Sequence, residues 1–140
     1  MVDRDVLLRK SEAIEHHGSR LRRKLPLEAA ALAADESLLN DVCFDALQAI
    51  QSCIDLAVHT CSHEAFGVPE SPAAAFALLA RQGVITSALA ERLGRAAALR
   101  NLIVHRYTDL VPARLAQAIT AGLADLDEFV AALRAHARSA

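Results

Sequence analysis

Residues 35–64 read DESLLNDVCFDALQAIQSCIDLAVHTCSHE, and their spacing decides the fold class. Leu39, Cys43, Ala46, Ile50, Cys53 and Ala57 recur at alternating intervals of four and three, the period of one face of an α-helix. Asp41, Asp45, Gln48, Ser52, Asp55 and His59 repeat those intervals on the opposite face. The stretch predicts one long helix, apolar on one side and acidic on the other. Asp35, Ser37 or Asn40 caps its start, and Gly67-Val68-Pro69 closes it. Such a helix must bury its apolar face, so a bundle or an oligomer follows.

On the N-terminal side, residues 3–24 carry Val6, Leu7, Ala13, Ile14, Leu21 and Leu25 on a second apolar stripe. Gly18 weakens the middle of that helix and Pro26 ends it. Downstream, Ser71-Pro72 is a cap followed by proline in the first turn, and it opens a short helix through Phe76 and Leu79 to Gly83. Thr86 opens a fourth helix that runs to about Tyr107. Thr108, Asp109 and Pro112 are stop-and-restart signals, and a last helix extends to about Ala137. Helices joined by short connections pack as antiparallel neighbours. The expectation is an all-α, up-down bundle of four long helices and one short one, forming a single domain over residues 1–140. Composition agrees. Alanine supplies 30 of 140 residues, against 19 Val, Ile and Thr, with one Tyr and no Trp. Alanine favours helix, whereas β-branched and aromatic residues favour strands, so a sandwich or barrel is disfavoured. The 54% hydrophobic content also argues against disorder.

The net charge of −2 predicts no general attraction to nucleic acid. Its distribution is uneven. Residues 1–24 carry +3, residues 25–80 carry −8 with no Lys or Arg, and residues 81–140 carry +3. Thirteen of the 15 cations are arginine, the side chain suited to forked phosphate contacts. Either these are solvated helix faces, or an acidic helix lies between cationic ones that hold phosphate locally. The N-terminus is charged from Asp3 onward, and no run of 18 apolar residues exists. No signal peptide, membrane span or membrane partner is therefore expected. Cys43, Cys53 and Cys61 read as reduced thiols of a cytoplasmic protein, packed in the core.

Reactive groups are densest in Arg100-Asn101-Leu102-Ile103-Val104-His105-Arg106-Tyr107. A fixed cation, an imidazole and a phenol together can handle a phosphate: charge stabilisation, proton transfer and a hydrogen bond. On an ideal helix Arg100 and Tyr107 share a face, but His105 lies roughly 140° around from Arg100. Either the length of Arg100 compensates, the helix end distorts, or two chains contribute to one site. Arginine and histidine are also ordinary residues at the negative end of a helix.

Arg100-x4-His105-x-Tyr107 resembles the Arg-x(4–6)-His-x-Tyr motif of HEPN-domain proteins, and within them the HepT-type toxins. Ile50-Gln51-Ser52-Cys53-Ile54-Asp55-Leu56-Ala57 resembles that family's second-helix segment. Gly67-Val68-Pro69, with Phe76, Leu79 and Gly83-Val84-Ile85, resembles its middle region, and the likeness covers roughly residues 40–130. The resemblance implies a small HEPN-like toxin that cleaves RNA without a metal or other cofactor and is built as a homodimer whose two motifs face each other. It implies a minimal nucleotidyltransferase antitoxin of the MntA type, which transfers AMP to the motif tyrosine. Carried onto this chain, Arg100 and His105 are the catalytic residues, Asn101 and Asp55 are accessory, and Tyr107 is the AMPylation acceptor. Arg106 is either a phosphate contact or a surface charge. The alternative is a non-catalytic HEPN module that binds nucleotides or presents substrate to a partner nucleotidyltransferase. A third reading is a plain interaction bundle.

Other groups read more simply. His59, Cys61 and His63 have a zinc-like spacing, but residues two apart point about 200° apart on a helix and do not converge. Cys43 and Cys61 lie about 27 Å apart along one helix, too far for a disulfide. His16 and His17 read as a solvated pair. Asp55 is either solvated surface or a partner that orients Arg100. With no Gly-rich phosphate loop and a single Tyr, RNA contact is expected to run through arginine and phosphate.

Overall fold

The computed structural model describes residues 3–139. It contains α1 (Arg4–Arg22), α2 (Ala29–Ala34), α3 (Glu36–His63), α4 (Pro72–Arg81), α5 (Ser87–His105), a single 3₁₀ turn (Tyr107–Asp109) and α6 (Pro112–Ser139). No strand occurs among the described residues. The four long helices and the short α4 fall where the sequence places them. The short α2 is an addition. Its sequence, AAALAA, is a strong helix former, but six residues are too few to display a 3.6-residue period. Leu32 is its anchor and is fully buried.

Side-chain caps start the helices. Asp3 accepts from the N–H groups of Asp5 and Val6, Ser71 from Ala74, and Thr86 from Leu89. For α3 the cap is Asp35, whose Oδ1 accepts from Leu38 N at 3.1 Å. Ser37 and Asn40, the other two candidates, lie inside the helix. Each such cap contributes about 1 kcal/mol.

Helix α3 is the axis of the bundle and packs against every other helix. Cys43, Ala46, Ile50, Cys53 and Ala57 are buried as their spacing requires, and Leu39 is half-buried. The opposite, acidic face departs from a solvated surface. Helix α1 covers it, so Asp45 and Ser52 are buried. Contacts from Lys10 to Asp55 and from Arg20 to Asp45 run in opposite order along the two helices, which makes them antiparallel. Asp45 is fully buried. It is held by His17 Nδ1 at 2.8 Å and Arg20 Nε at 2.9 and 3.1 Å, with Lys24 Nζ at 3.7 Å. His17 is therefore an internal partner rather than half of a solvated pair, while His16 stays exposed at the edge of its ring. A carboxylate enters a core only with such compensation.

The remaining core is apolar. Phe76 of α4 and Phe129 of α6 meet edge to face with centroids 5.8 Å apart, in a core that also buries Leu56, Leu79, Leu93 and Leu133. Between α3, α5 and α6 lies a slot of about 280 Å³, walled by small residues such as Ala46, Ala49, Ala96, Ala118 and Gly122. No helix among the described residues is long and apolar enough to cross a membrane.

Candidate functional site

Helix α5 delivers the motif to the end of the bundle nearest the start of α3. Leu89, Leu93, Ala97 and Ile103 fix its buried face. Arg100 is half-buried beside that face, whereas Asn101 and His105 are exposed. The Arg100 Nε is buried and has no hydrogen-bond acceptor among the described residues. An unsatisfied buried donor costs about 1–3 kcal/mol, and one on a cation invites an anion.

The helix stops at His105, two residues earlier than expected. Arg106 has φ −140° and ψ 44°, outside the helical region, although its N–H still reaches Leu102 O at 2.9 Å. Its Nε bonds Asp109 Oδ2 at 2.8 Å, closing the 3₁₀ turn on itself. Arg106 is thus an exposed, locally paired charge. The distortion turns Tyr107 off the helix and onto α3, where its hydroxyl donates to Asn40 Oδ1 at 2.5 Å. Arg100 and Tyr107 therefore do not share one helix face. Of the three ways out of the angular difficulty, the helix end does distort, and it moves the tyrosine.

Tyr107 is 38% exposed. Its pKa is raised, first by partial burial and then by the nearby Cys43 and Glu36, so the phenol stays protonated and able to donate. Burial likewise pushes the Cys43 thiol up to about 11.

Asp55 lies elsewhere. Its carboxylate takes Lys10 Nζ at 3.0 Å and Gln51 Nε2 at 2.8 Å, so it does not pair with Arg100. The reason is topological: α1 covers the Asp55 side of α3, and α5 packs on another face. Nor do His59, Cys61 and His63 converge. Cys61 is buried with Sγ toward Ala75 O, while His63 stacks on His59. No group of three potential metal ligands gathers among the described residues.

Asn40 is the contact that sequence reasoning missed. It stands 67 positions from Tyr107 and looked like a cap. Only the observation that α3 and α5 are neighbours would have raised it.

Known proteins are similar to this chain in sequence and fold. A family model described as ribonuclease HepT-like matches residues 14–133. The mRNA nuclease HepT of Shewanella oneidensis is 26% identical over 131 residues, covering 94% of this chain and 98% of that protein. The structure of a tri-AMPylated Shewanella oneidensis HEPN toxin in complex with an MNT antitoxin superposes with a TM-score of 0.87 at 26% identity, covering 95% of this chain and 99% of that one. YutE, a cytosolic protein from Bacillus subtilis, shares the fold with a TM-score of 0.87 at 17% identity, covering 99% of this chain and 92% of that one. With the family model running from the second half of α1 through most of α6 and over all of the Arg-His-Tyr segment, the chain belongs to the HepT-like ribonuclease family.

Proposed function

We propose that this chain is a ribonuclease toxin that cleaves RNA with Arg100 and His105, and that a nucleotidyltransferase antitoxin silences it through Tyr107. The observation that carries the reading is the buried, unpartnered Nε of Arg100 on the helix that ends in an exposed His105. A phosphodiester oxygen supplies the missing acceptor. The ribose 2′-oxygen then attacks phosphorus, its proton passes to an imidazole, and the bond to the 5′-oxygen breaks as that oxygen takes a proton. Histidine is suited to both transfers near neutral pH. Arg100 offsets the charge gathering on the phosphoryl oxygens. This scheme requires no metal. Asn101 contacts the phosphate or orients His105.

Arg100 and His105 diverge by roughly 140° around α5, so a second copy completes the site by presenting its own pair. Exposed Phe44, one turn along α3 from Asn40, and Val104 within the motif segment, 54% and 48% accessible, support a homodimer that covers them. The toxin, AMPylation and antitoxin roles are supported by the Shewanella relatives. AMP on Tyr107 adds negative charge and bulk beside the site and repels an RNA phosphate.

Arg100→Ala and His105→Ala should each lower RNA cleavage by about 100-fold or more and relieve growth inhibition, with unchanged circular dichroism. Full cleavage by both variants would refute the assignment. Nucleotide binding by a wild-type protein that cuts no RNA would favour the non-catalytic module. Co-expression with a nucleotidyltransferase antitoxin of the MntA type should add AMP mass at Tyr107.

A further inference from the structure

Leu110 packs against the core, but the hydrogen bonds and ion pair of residues 105–110 are almost wholly local. Asp109 N reaches Arg106 O at 2.8 Å, Leu110 N reaches Tyr107 O at 3.2 Å, and Arg106 pairs with Asp109. Among the described residues, one hydrogen bond ties this segment to another helix: Tyr107 Oη to Asn40 Oδ1. Asn40 is exposed, in the second turn of the longest-buried helix, and is therefore a rigid post at the protein surface. The segment it holds contains His105, two residues before the tyrosine.

We infer that Asn40 is a positioning residue. It holds the Tyr107 phenol against α3, and nucleotidyl transfer to that oxygen breaks the tie and loosens the end of α5 that carries His105. The inference rests on the proposed nuclease reading for its consequence, but not for the tie itself. In the transfer, the phenol oxygen bonds the α-phosphorus of a nucleoside triphosphate, the bond from that phosphorus to the bridging oxygen breaks, and pyrophosphate leaves. The phenolic proton goes to the partner enzyme or to water. The product oxygen has no hydrogen, so Asn40 Oδ1 loses its donor. Modification then acts twice: it places charge beside the site, and it removes the one hydrogen bond that, among the described residues, ties the segment to another helix. The raised pKa of the phenol supports this, because the hydroxyl must be protonated to donate.

The chain has one tyrosine, so modification of phenol reports Tyr107 alone. The probe is N-acetylimidazole, followed by the hydroxylamine-reversible loss of tyrosine absorbance. Asn40→Ala should be acetylated about fivefold faster than wild type, the factor a typical net hydrogen bond supplies. Asn40→Asp keeps an acceptor and should restore protection. Alanine at this exposed helical site favours the helix, so the fold is retained. In the nuclease assay, Asn40→Ala should lower kcat severalfold with KM little changed. Tyr107→Phe should do the same, and the double variant should lose no more than either alone. Equal acetylation rates in wild type and Asn40→Ala would overturn the inference. So would additive losses, which would put Tyr107 on the RNA independently of Asn40. A wild-type chain that cuts no RNA, yet protects Tyr107 only when Asn40 is present, would refute the nuclease reading and leave the tie standing.

Discussion

Replacing Asp45 by alanine removes the acceptor shared by His17, Arg20 and Lys24 and leaves two cations and an imidazole facing a small void. The carboxylate is fully buried, so its bonds are screened little by water. Its partners are more open: Arg20, Lys24 and His17 side chains are 41%, 23% and 15% accessible, so solvent recovers part of their loss. Breaking a wholly buried pair costs about 3–5 kcal/mol, and breaking an exposed one about 0–1 kcal/mol. Asp45 lies nearer the first case, which gives about 3 kcal/mol. For a chain of 140 residues, unfolding entropy of about 2.1 cal/mol/K per residue turns this into a fall in Tm of roughly 10 °C. Thermal melts at pH 7 followed by circular dichroism measure it. Asp45→Asn, which keeps the volume but loses the charge, should fall nearly as far. The loss should persist in 1 M salt, since the acceptor is shielded. A drop below about 3 °C, or strict additivity with Arg20→Ala, would refute the argument that one buried acceptor organises the α1–α3 contact.

Three further outcomes follow from single residues. Gly122 sits inside α6 with nothing within 4 Å of a built Cβ, so Gly122→Ala should stabilise by about 1 kcal/mol, read as a Tm rise of roughly 3 °C; a fall would show that the slot wall is not open. Absorbance at 295 nm should titrate Tyr107 above the ordinary tyrosine value of 10.0. Because the folded phenol resists ionisation, its contribution to stability is complete below pH 10 and is lost as pH rises through the raised value; unfolding that grows no easier across that range would contradict the sign. Burial raises all three thiols, with Cys43 at about 11, so native protein at pH 8 should alkylate slowly with iodoacetamide and take up three equivalents only after unfolding. A rapid stoichiometric burst would argue otherwise.

Periodicity made the long helices legible because α3, α5 and α6 each repeat a buried face over many turns. The same repeat said nothing about what faces the other side. The acids of α3 were readable either as solvated or as lying between cationic helices, because a one-dimensional pattern cannot display α1 lying over them. His17 and Asp45 are 28 positions apart, and their pairing exists only once the two helices are antiparallel. Asp55 was drawn toward Arg100 by motif likeness and toward Lys10 by topology, and the second prevails. Around the candidate site, the residue types and their order were readable, including the angular conflict along α5. The break at Arg106 was not, because Asp109 enforces it through a side-chain bond that leaves no trace in hydrophobic spacing.

The ion pairing described for α1 extends through the bundle and sets how the molecule meets ionic strength. Arg20, Arg22, Arg92, Arg95, Arg106 and Arg134 each hold a carboxylate of their own chain. Cations neutralised in this way displace few counterions from a polyanion. Each phosphate contact on a single strand contributes about −0.7 to the slope of log affinity against log salt. On the proposed ribonuclease reading, a chain that spends six arginines internally and leaves the Arg100 Nε unpartnered should meet RNA with a shallow slope. Added salt that strips an ordinary basic protein from RNA should leave this one engaged, with fit at a few atoms setting the contact in place of long-range attraction.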